Sequence, residues 1–209
     1  MPSPGFKCVS CGGTFTLQDK VLKLYPNWTP KLCLACRGSQ NKPRKPELNL
    51  PTAEVLERFT GGPDTGVFTD GSCERNPGGP GGWGVVKVFQ GKPVAERNGH
   101  AEMTTSNQME LTALIEAFKM LASDEEIDVY TDSKYCHSIA TKWAANWKRL
   151  GWKRNKKGEE VKNLDLVKEL HELVGRHPKA AVQWIPGHEG CRWNEYADSL
   201  STAYTRTVR

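Results

Sequence analysis

Residues 67–84 read VFTDGSCERNPGGPGGWG. The stretch opens with the apolar and β-branched residues that are typical of a buried strand. It then passes through Asp70 into a run rich in glycine and proline. Because glycine has no side chain, such a loop can bring its backbone close to another molecule. The stretch therefore predicts a strand that ends at a carboxylate, followed by a loop suited to close contact.

From residue 66 onward, strand-like and helix-like patterns alternate, which predicts an α/β layer fold with a mixed sheet. The β-branched and aromatic runs predict strands at 66–72, 84–90, 93–102, 127–131 and 181–185. Apolar residues at helical spacing predict helices at 107–122, 133–145 and 164–175 and from about 193 onward. Thr105 or Ser106 is placed to cap the first of these helices.

The part of the chain before residue 65 has a different character. Residues 1–40 form a small candidate module, and residues 41–64 form a linker rich in proline and lysine. A short helix with Thr52 as its cap is expected near the end of this linker. Residues 65–209 then form the main domain.

The charge is unevenly distributed along the chain. Residues 1–40 hold five Lys/Arg against one Asp and therefore carry +4 of the net charge of +5. This excess indicates attraction to a polyanion, although a solvated lysine-rich surface explains it equally well. No apolar run is long enough to cross a bilayer, and the N-terminus lacks the pattern of a secretory signal. We expect a cytoplasmic monomer without membrane contact.

Four of the seven cysteines form two CxxC pairs with 21 residues between them. Their thiolates can coordinate one structural Zn²⁺ tetrahedrally, and a segment this short needs such a link to fold. Two disulfides or a redox pair are the alternatives, but a reducing cytosol and the duplicated motif disfavour them. The spacing also resembles that of bacterial zinc-ribbon modules. The predicted zinc ligands are Cys8, Cys11, Cys33 and Cys36.

Four carboxylates occupy unusual positions in the main domain. Asp70 and Asp132 end predicted strands, whereas Glu110 and Asp198 lie beside the apolar faces of predicted helices. A single aspartate at a strand end is more often a turn former. Buried carboxylates, however, are costly unless they are paired or bind a cation. Four such acids in one domain predict an oxygen-ligand site for Mg²⁺ or Mn²⁺, the set that holds two ions around a phosphate.

The same region contains successive motifs that resemble those of type 1 ribonuclease H. They cover residues 66 to about 204 and read FTDGSCERNPGGPGGWG, TTSNQMEL, YTDSKY, NWKRLGWK with VKNLDL, and IPGHEGCRWNEYAD. The resemblance implies a mixed five-stranded sheet flanked by helices. It also implies an endonuclease that hydrolyses the RNA strand of RNA–DNA hybrids and leaves 5′-phosphate and 3′-hydroxyl ends.

By this resemblance, Asp70, Glu110, Asp132 and Asp198 hold two Mg²⁺ or Mn²⁺ ions. One ion would lower the pKa of the attacking water, and the other would stabilise the departing 3′ oxygen. His188 matches the mobile histidine that assists proton transfer or product release in the family. The alternative is an incidental loop histidine.

The resemblance also assigns substrate contacts. Asn76 and Asn107 match the residues that read the RNA 2′-hydroxyl, which both donates and accepts hydrogen bonds. Local capping or turn formation is their alternative role. Thr105 and Asn163 match the phosphate pocket, although Met103 stands where some members have a supporting arginine. Lys134 lies close enough to Asp132 in sequence to reach the substrate.

Residues 143–162 hold seven basic residues against two acidic ones. The resemblance makes this segment the protrusion that grips the DNA strand, with Trp147 and Trp152 packing on it and basic groups contacting phosphates. A role in the helix core is the alternative for the tryptophans and is expected for Trp143.

A non-catalytic binder of hybrids or structured RNA on the same fold is the alternative function. The presence of all four acids speaks against it. For the zinc module, a role in nucleic-acid binding is expected, and docking to a protein partner is the alternative.

Overall fold

The computed structural model describes residues 5–8, 12–16 and 49–206. The chain divides into two compact units, Met1–Leu48 and Asn49–Arg209. In the first unit, strands β1 (Gly5–Lys7) and β2 (Thr14–Thr16) pair antiparallel, with Phe6 opposite Phe15. Of the four predicted zinc ligands, Cys8 is buried next to this hairpin. Cys11, Cys33 and Cys36 lie outside the described residues, as does most of the expected linker.

The second unit is built on a mixed sheet of five strands. They are β3 (Gly66–Cys73), β4 (Gly79–Phe89), β5 (Lys92–Thr104), β6 (Ile127–Thr131) and β7 (Ala180–Trp184), in the order β5-β4-β3-β6-β7. Strands β3, β4 and β5 pair antiparallel, whereas β6 is parallel to both β3 and β7. The predicted mixed five-stranded sheet is therefore confirmed.

Helices pack on both faces of this sheet. They are α1 (Thr52–Arg58), α2 (Ser106–Lys119), α3 (Lys134–Ser138), α4 (Ala144–Arg149), α5 (Leu164–Arg176) and α6 (Arg192–Ser201). A π-helical segment, Ile139–Trp143, joins α3 to α4, and a 3₁₀ turn, Ala203–Thr205, follows α6. None of the helices in the described ranges combines the length and apolar character needed to span a bilayer.

Neighbouring residues along the strands point to opposite faces and so build two cores. Val67 and Val85 face the larger core, which contains the apolar sides of α2 and α5. Phe68 and Val86 face the smaller core, where they meet Trp193 of α6 together with residues of α1. The central strand β3 is thereby buried on both sides, which fixes the position of the residues at its end.

Two local predictions need correction. Thr52 is the first residue of α1 rather than its cap, because Pro51 occupies the N-cap position. Strand β4 begins at Gly79 rather than at residue 84, so the glycine-rich run is largely strand.

Two of the glycines in this region allow close packing inside the protein. A Cβ atom at Gly71 would overlap the backbone of Glu110 in α2, and one at Gly82 would overlap the carbonyl oxygen of Ser201 in α6. Contact between the backbone of this run and a bound molecule stays a prediction, whereas Gly71 and Gly82 have a role inside the protein. Their missing side chains let α2 and α6 lie directly on the sheet.

Candidate active site

Three of the four predicted acids meet where the pairing of the two central strands stops. Asp70 lies inside β3, which continues to Cys73, so the predicted strand end at this carboxylate is corrected; Asp132 directly follows β6. Thr69 of β3 lies opposite Thr131 of β6, and because these strands run parallel, Asp70 and Asp132 follow side by side. Glu110 reaches the same point from α2, since the absence of a side chain at Gly71 lets that helix approach. Carboxylate oxygens of Asp70, Glu110 and Asp132 lie within 4.8 Å of one another.

The fourth acid, Asp198, lies on α6 and is 9% exposed. It forms a second group with His188 and Glu195, whose ligand atoms also lie within 4.8 Å of one another. The Asp198 charge raises the pKa values of Asp70 and Glu110, which places it within electrostatic reach of the first group. The structure thus brings all four predicted acids into one region.

Burial makes this group of acids electrostatically unfavourable on its own. It raises the pKa values of Asp70 and Glu110 well above their ordinary range, and the charges of the neighbouring acids raise them further. Burial also raises the pKa of Asp132, which the amide of Asn194 partly offsets. Such a concentration of buried negative charge favours the binding of a cation.

A free acceptor atom supports the same conclusion. The Glu110 Oε2 atom is buried, and none of the described residues donates a hydrogen bond to it. A buried carboxylate oxygen with no donor is costly unless something outside the protein chain satisfies it. Carboxylate oxygens are the ligands that Mg²⁺ and Mn²⁺ prefer. The residues present therefore fit a divalent-cation site.

His188 lies at the rim of this site in a left-handed backbone conformation, with a φ of 55°. Its Nδ1 atom is 3.9 Å from Glu195 Oε2. The nearby Glu195 carboxylate raises the pKa of His188 to about 9, and the charges of Asp198 and Asp70 act in the same direction. Glu195 also accepts a hydrogen bond from the Gly190 amide, at 3.3 Å. Glu195 thus favours the protonated form of His188 and also binds the backbone of its loop.

The surroundings of Asp132 include residues that the sequence did not single out. Asn194 Nδ2 donates to Asp132 Oδ2 at 3.3 Å, and Trp184 Nε1 donates to the Asp132 carbonyl oxygen at 2.9 Å. Lys134 Nζ lies 4.6 Å from the centre of the Trp184 ring. Gly187 passes so close to Asp132 that a Cβ atom there would overlap its carboxylate.

Glu195, Asn194 and Trp184 were missed because their roles depend on tertiary contacts. Only Glu195 carried a signal in the sequence. It precedes Asp198 by three residues and therefore lies on the same side of a helix.

The predicted contacts to the RNA strand lie around the start of α2. Asn76 and Asn107 are exposed, and Asn76 Oδ1 accepts from the Ser106 amide at 3.3 Å. Thr105 caps α2 through a hydrogen bond from the Gln108 amide, at 3.2 Å, as expected. Asn163 is the N-cap of α5, also in a left-handed conformation, with a φ of 55°. Substrate binding by these residues stays a prediction.

The structure reverses the roles expected for two tryptophans. Trp147 is 8% exposed and belongs to the larger core, whereas Trp143 is 37% exposed. Packing of the Trp147 ring on DNA is therefore corrected to a core role. Trp152 is half-buried, with Lys168 Nζ 5.6 Å from its ring centre, and remains a candidate for that contact.

A mixed sheet whose central strands bring several carboxylates together, with oxygen ligands suited to divalent cations, is typical of metal-dependent phosphodiester hydrolases. A family model described as RNase H matches residues 63–205. Ribonuclease H of Pseudomonas entomophila (strain L48) is 46% identical over 143 residues, which are 68% of this chain and 94% of that protein. The chain belongs to the ribonuclease H family.

Two further comparisons agree. Ribonuclease H of Bordetella bronchiseptica (strain ATCC BAA-588 / NCTC 13252 / RB50) is 40% identical over 154 residues, covering 74% of this chain and 97% of that protein. The crystal structure of LC9-RNase H1, described as a type 1 RNase H with the type 2 active-site motif, is 29% identical with a TM-score of 0.56. That match covers 72% of this chain and 76% of the other.

Proposed function

We propose that this chain hydrolyses the RNA strand of RNA–DNA hybrids, with Asp70, Glu110, Asp132 and Asp198 holding two divalent ions. The observation that carries the proposal is the meeting of carboxylate oxygens of Asp70, Glu110 and Asp132 within 4.8 Å of one another. When bound, Mg²⁺ or Mn²⁺ supplies the Lewis acidity and charge neutralisation that phosphodiester hydrolysis needs. The products carry 5′-phosphate and 3′-hydroxyl ends.

His188 holds a proton close to the acids. With a pKa of about 9, its imidazole is charged near neutral pH. It can therefore donate a proton to the departing 3′ oxygen, and its exposed position at a glycine-flanked loop lets it move with the product. Glu195 keeps the ring charged and oriented.

Selection for RNA comes from amide side chains on the exposed rim. Asn76 and Asn107 each present a donor and an acceptor, the combination that a 2′-hydroxyl satisfies and a deoxyribose does not. Thr105, Asn163 and Lys134 bind phosphates of the substrate. Trp152 and the basic side chains of residues 148–162 bind the DNA strand with little dependence on sequence.

The first test is cleavage of labelled substrates in Mg²⁺ and in Mn²⁺. Wild-type protein should cut only the RNA strand of a hybrid, leaving duplex RNA and duplex DNA intact. Asp70→Asn should lose the activity by about 1,000-fold or more, because it removes a charged ligand from the cation site. Asp124→Asn, at an exposed acid that belongs to neither group of clustered acids, is the control and should cut like the wild type. Binding of the hybrid without cutting in either metal would instead favour the non-catalytic alternative.

The N-terminal module is proposed to bind one structural Zn²⁺ through Cys8, Cys11, Cys33 and Cys36, and to attach the enzyme to nucleic acid. Its net charge of +4 supports this role. Docking to a protein partner is the alternative. The zinc content of purified protein should be one ion per chain, falling in Cys33→Ser. Protein purified without zinc would contradict the site. We further propose that the enzyme works as a cytoplasmic monomer.

A further inference from the structure

Ser201, at the last position of α6, is completely buried beside the acids. Its Oγ atom lies 2.8 Å from Asp70 Oδ2 and 3.0 Å from the carbonyl oxygen of Asp198. Its own carbonyl oxygen accepts a hydrogen bond from Ser72 Oγ, at 3.1 Å. Through side chain and backbone together, Ser201 thus joins the end of α6 to strand β3.

The hydroxyl has one proton and two acceptors within reach. Asp70 Oδ2 belongs to a carboxylate and is the stronger acceptor, because hydrogen bonds to ionised groups are shorter and stronger than bonds to neutral groups. The contact to Asp198 is also redundant, since Thr202 Oγ1 donates to the same carbonyl oxygen at 3.0 Å. Of the Ser201 and Thr202 hydroxyls, only that of Ser201 therefore bonds to Asp70.

This bond leaves Asp70 able to bind a cation. Each carboxylate oxygen has two lone pairs, so Oδ2 can accept the hydroxyl proton and still contact an ion. The bond also restricts the rotation of the Asp70 carboxylate about its side-chain torsions. The Ser201 hydroxyl lowers the pKa of Asp70, against the effect of burial.

We propose that Ser201 is a positioning residue of the cation site, which orients the Asp70 carboxylate and fixes its distance from Asp198. The proposal rests on the proposed function, because it concerns the site at which the ions act. The backbone of Ser201 is held close to β4, since Gly82 packs directly against its carbonyl oxygen. A change of side chain at 201 therefore tests the hydroxyl while the packing of the helix end is kept.

The test compares Ser201→Ala with Thr202→Val in the full chain. Both changes remove a hydroxyl that contacts the Asp198 carbonyl oxygen, but only the first removes a bond to Asp70. Mn²⁺ binding is measured by calorimetry without nucleic acid, and thermal unfolding checks that each variant is folded. Ser201→Ala should raise the Kd for Mn²⁺ about tenfold, the size expected for a hydrogen bond to a charged group. Thr202→Val should stay within about twofold.

The metal concentration for half-maximal cleavage of a hybrid should shift in the same way, with a smaller fall in kcat at saturating metal. Equal Mn²⁺ affinity of Ser201→Ala and wild type, or an equal loss in Thr202→Val, would overturn the positioning role. Asp70→Asn separates this result from a failure of the proposed function. If Asp70→Asn binds Mn²⁺ as tightly as the wild type, the cation site itself is wrongly assigned, and the role of Ser201 falls with it.

Discussion

At the level of single residues, Glu195 sets the charge of His188. Its carboxylate, 3.9 Å from His188 Nδ1, is the main reason that the pKa of His188 is raised to about 9. In Glu195→Gln, the pKa of His188 in the metal-free protein should fall from about 9 toward about 6.5, the ordinary value for histidine. NMR titration of the imidazole carbon-bound protons measures it directly. Glu189→Gln, next to His188 in sequence and exposed, is the control and should leave the titration where it is in the wild type.

The same change predicts a shift in activity. A group with a raised folded-state pKa stays protonated as the pH rises, until the pH passes that pKa. If the protonated form of His188 serves the reaction, kcat should decline above about pH 9 in the wild type and at a lower pH in Glu195→Gln. Identical alkaline limits in the two proteins would show that the proton on His188 is not used.

Asp70 shows the cost of building a cation site. A raised carboxyl pKa means that the folded state holds a proton more tightly than the unfolded state does, so stability falls as the pH rises from the unfolded toward the folded pKa. Without metal, Asp70→Asn should therefore raise the free energy of unfolding at pH 7 by about 1–3 kcal/mol. This gain should vanish below about pH 4, because Asp70 of the wild type is then neutral in both the folded and the unfolded state.

Denaturant unfolding in a chelator measures this effect, and Mg²⁺ should reduce it by stabilising the wild type alone. The control Asp124→Asn should change stability by less than about 0.5 kcal/mol. A loss of stability in metal-free Asp70→Asn would mean that the acids are better compensated than their burial indicates.

At the level of elements, the packing of α6 on β4 fixes Asp198 relative to Asp70. A Cβ atom at Gly82 would overlap the Ser201 carbonyl oxygen. Gly82→Ala should lower the free energy of unfolding by about 2–4 kcal/mol, because the backbone of α6 cannot move aside without loss of packing. Gly175→Ala is the matched control. A Cβ atom at Gly175 would meet no atom within 4 Å, and the residue lies inside α5.

The control change should raise stability by up to about 1 kcal/mol, since alanine favours a helix over glycine. Thermal and denaturant unfolding of both variants measure the contrast. A Gly82→Ala variant as stable as the wild type would show that α6 is free to move, and Asp198 with it.

The same element level shows where sequence patterns succeed and fail. Helix α2 and strand β6 follow their periodicity and were predicted within a few residues. Strand β4 was placed too late because its glycines have low strand propensity, and the approach of α6 explains two of them, Gly82 and Gly84. Patterns in one segment cannot show which partner will lie against it.

The roles of Trp143 and Trp147 were predicted the wrong way round for a related reason. Buried positions in this region step from Ile139 to Ala144, five residues on, and the Ala144 amide donates to the Ile139 carbonyl oxygen. This is π-helical spacing, which shifts the later residues relative to an α-helical pattern. Trp147 therefore enters the core while Trp143 stays at the surface. No signal in the sequence distinguishes a π-helical step from a regular turn.

The residues of the site also fall into those that sequence motifs predict and those that only tertiary contacts reveal. Asp70, Glu110, Asp132 and Asp198 were found because each lies in a recognisable motif. Ser201 contacts Asp70 across 131 residues, and Trp184 contacts Asp132 across 52. These contacts arise only once the sheet and helices have assembled. The sequence therefore predicts the acids but not the residues that support them.

At the level of the whole molecule, the positive charge lies away from the acids in sequence. Residues 63–209 carry equal numbers of basic and acidic residues, although residues 143–162 alone carry a net +5. The first 40 residues carry a further +4. Each phosphate contact adds to the salt dependence of binding, so two basic segments on one chain should give a steeper salt dependence than one.

Deletion of residues 1–40 should therefore raise the KM for long hybrids and make the salt dependence of kcat/KM shallower, while kcat changes little because the four acids remain. A hybrid too short to reach both segments is the internal control, and its KM should be the same for the two proteins. Replacing Lys20, Lys23 and Lys31 by glutamine, with the cysteines kept, should reproduce the effect of the deletion if charge is its cause. An unchanged KM and salt slope on long hybrids would contradict attachment to nucleic acid and favour a protein partner for the module. A loss of kcat on the short hybrid would mean instead that the module supports the catalytic domain itself.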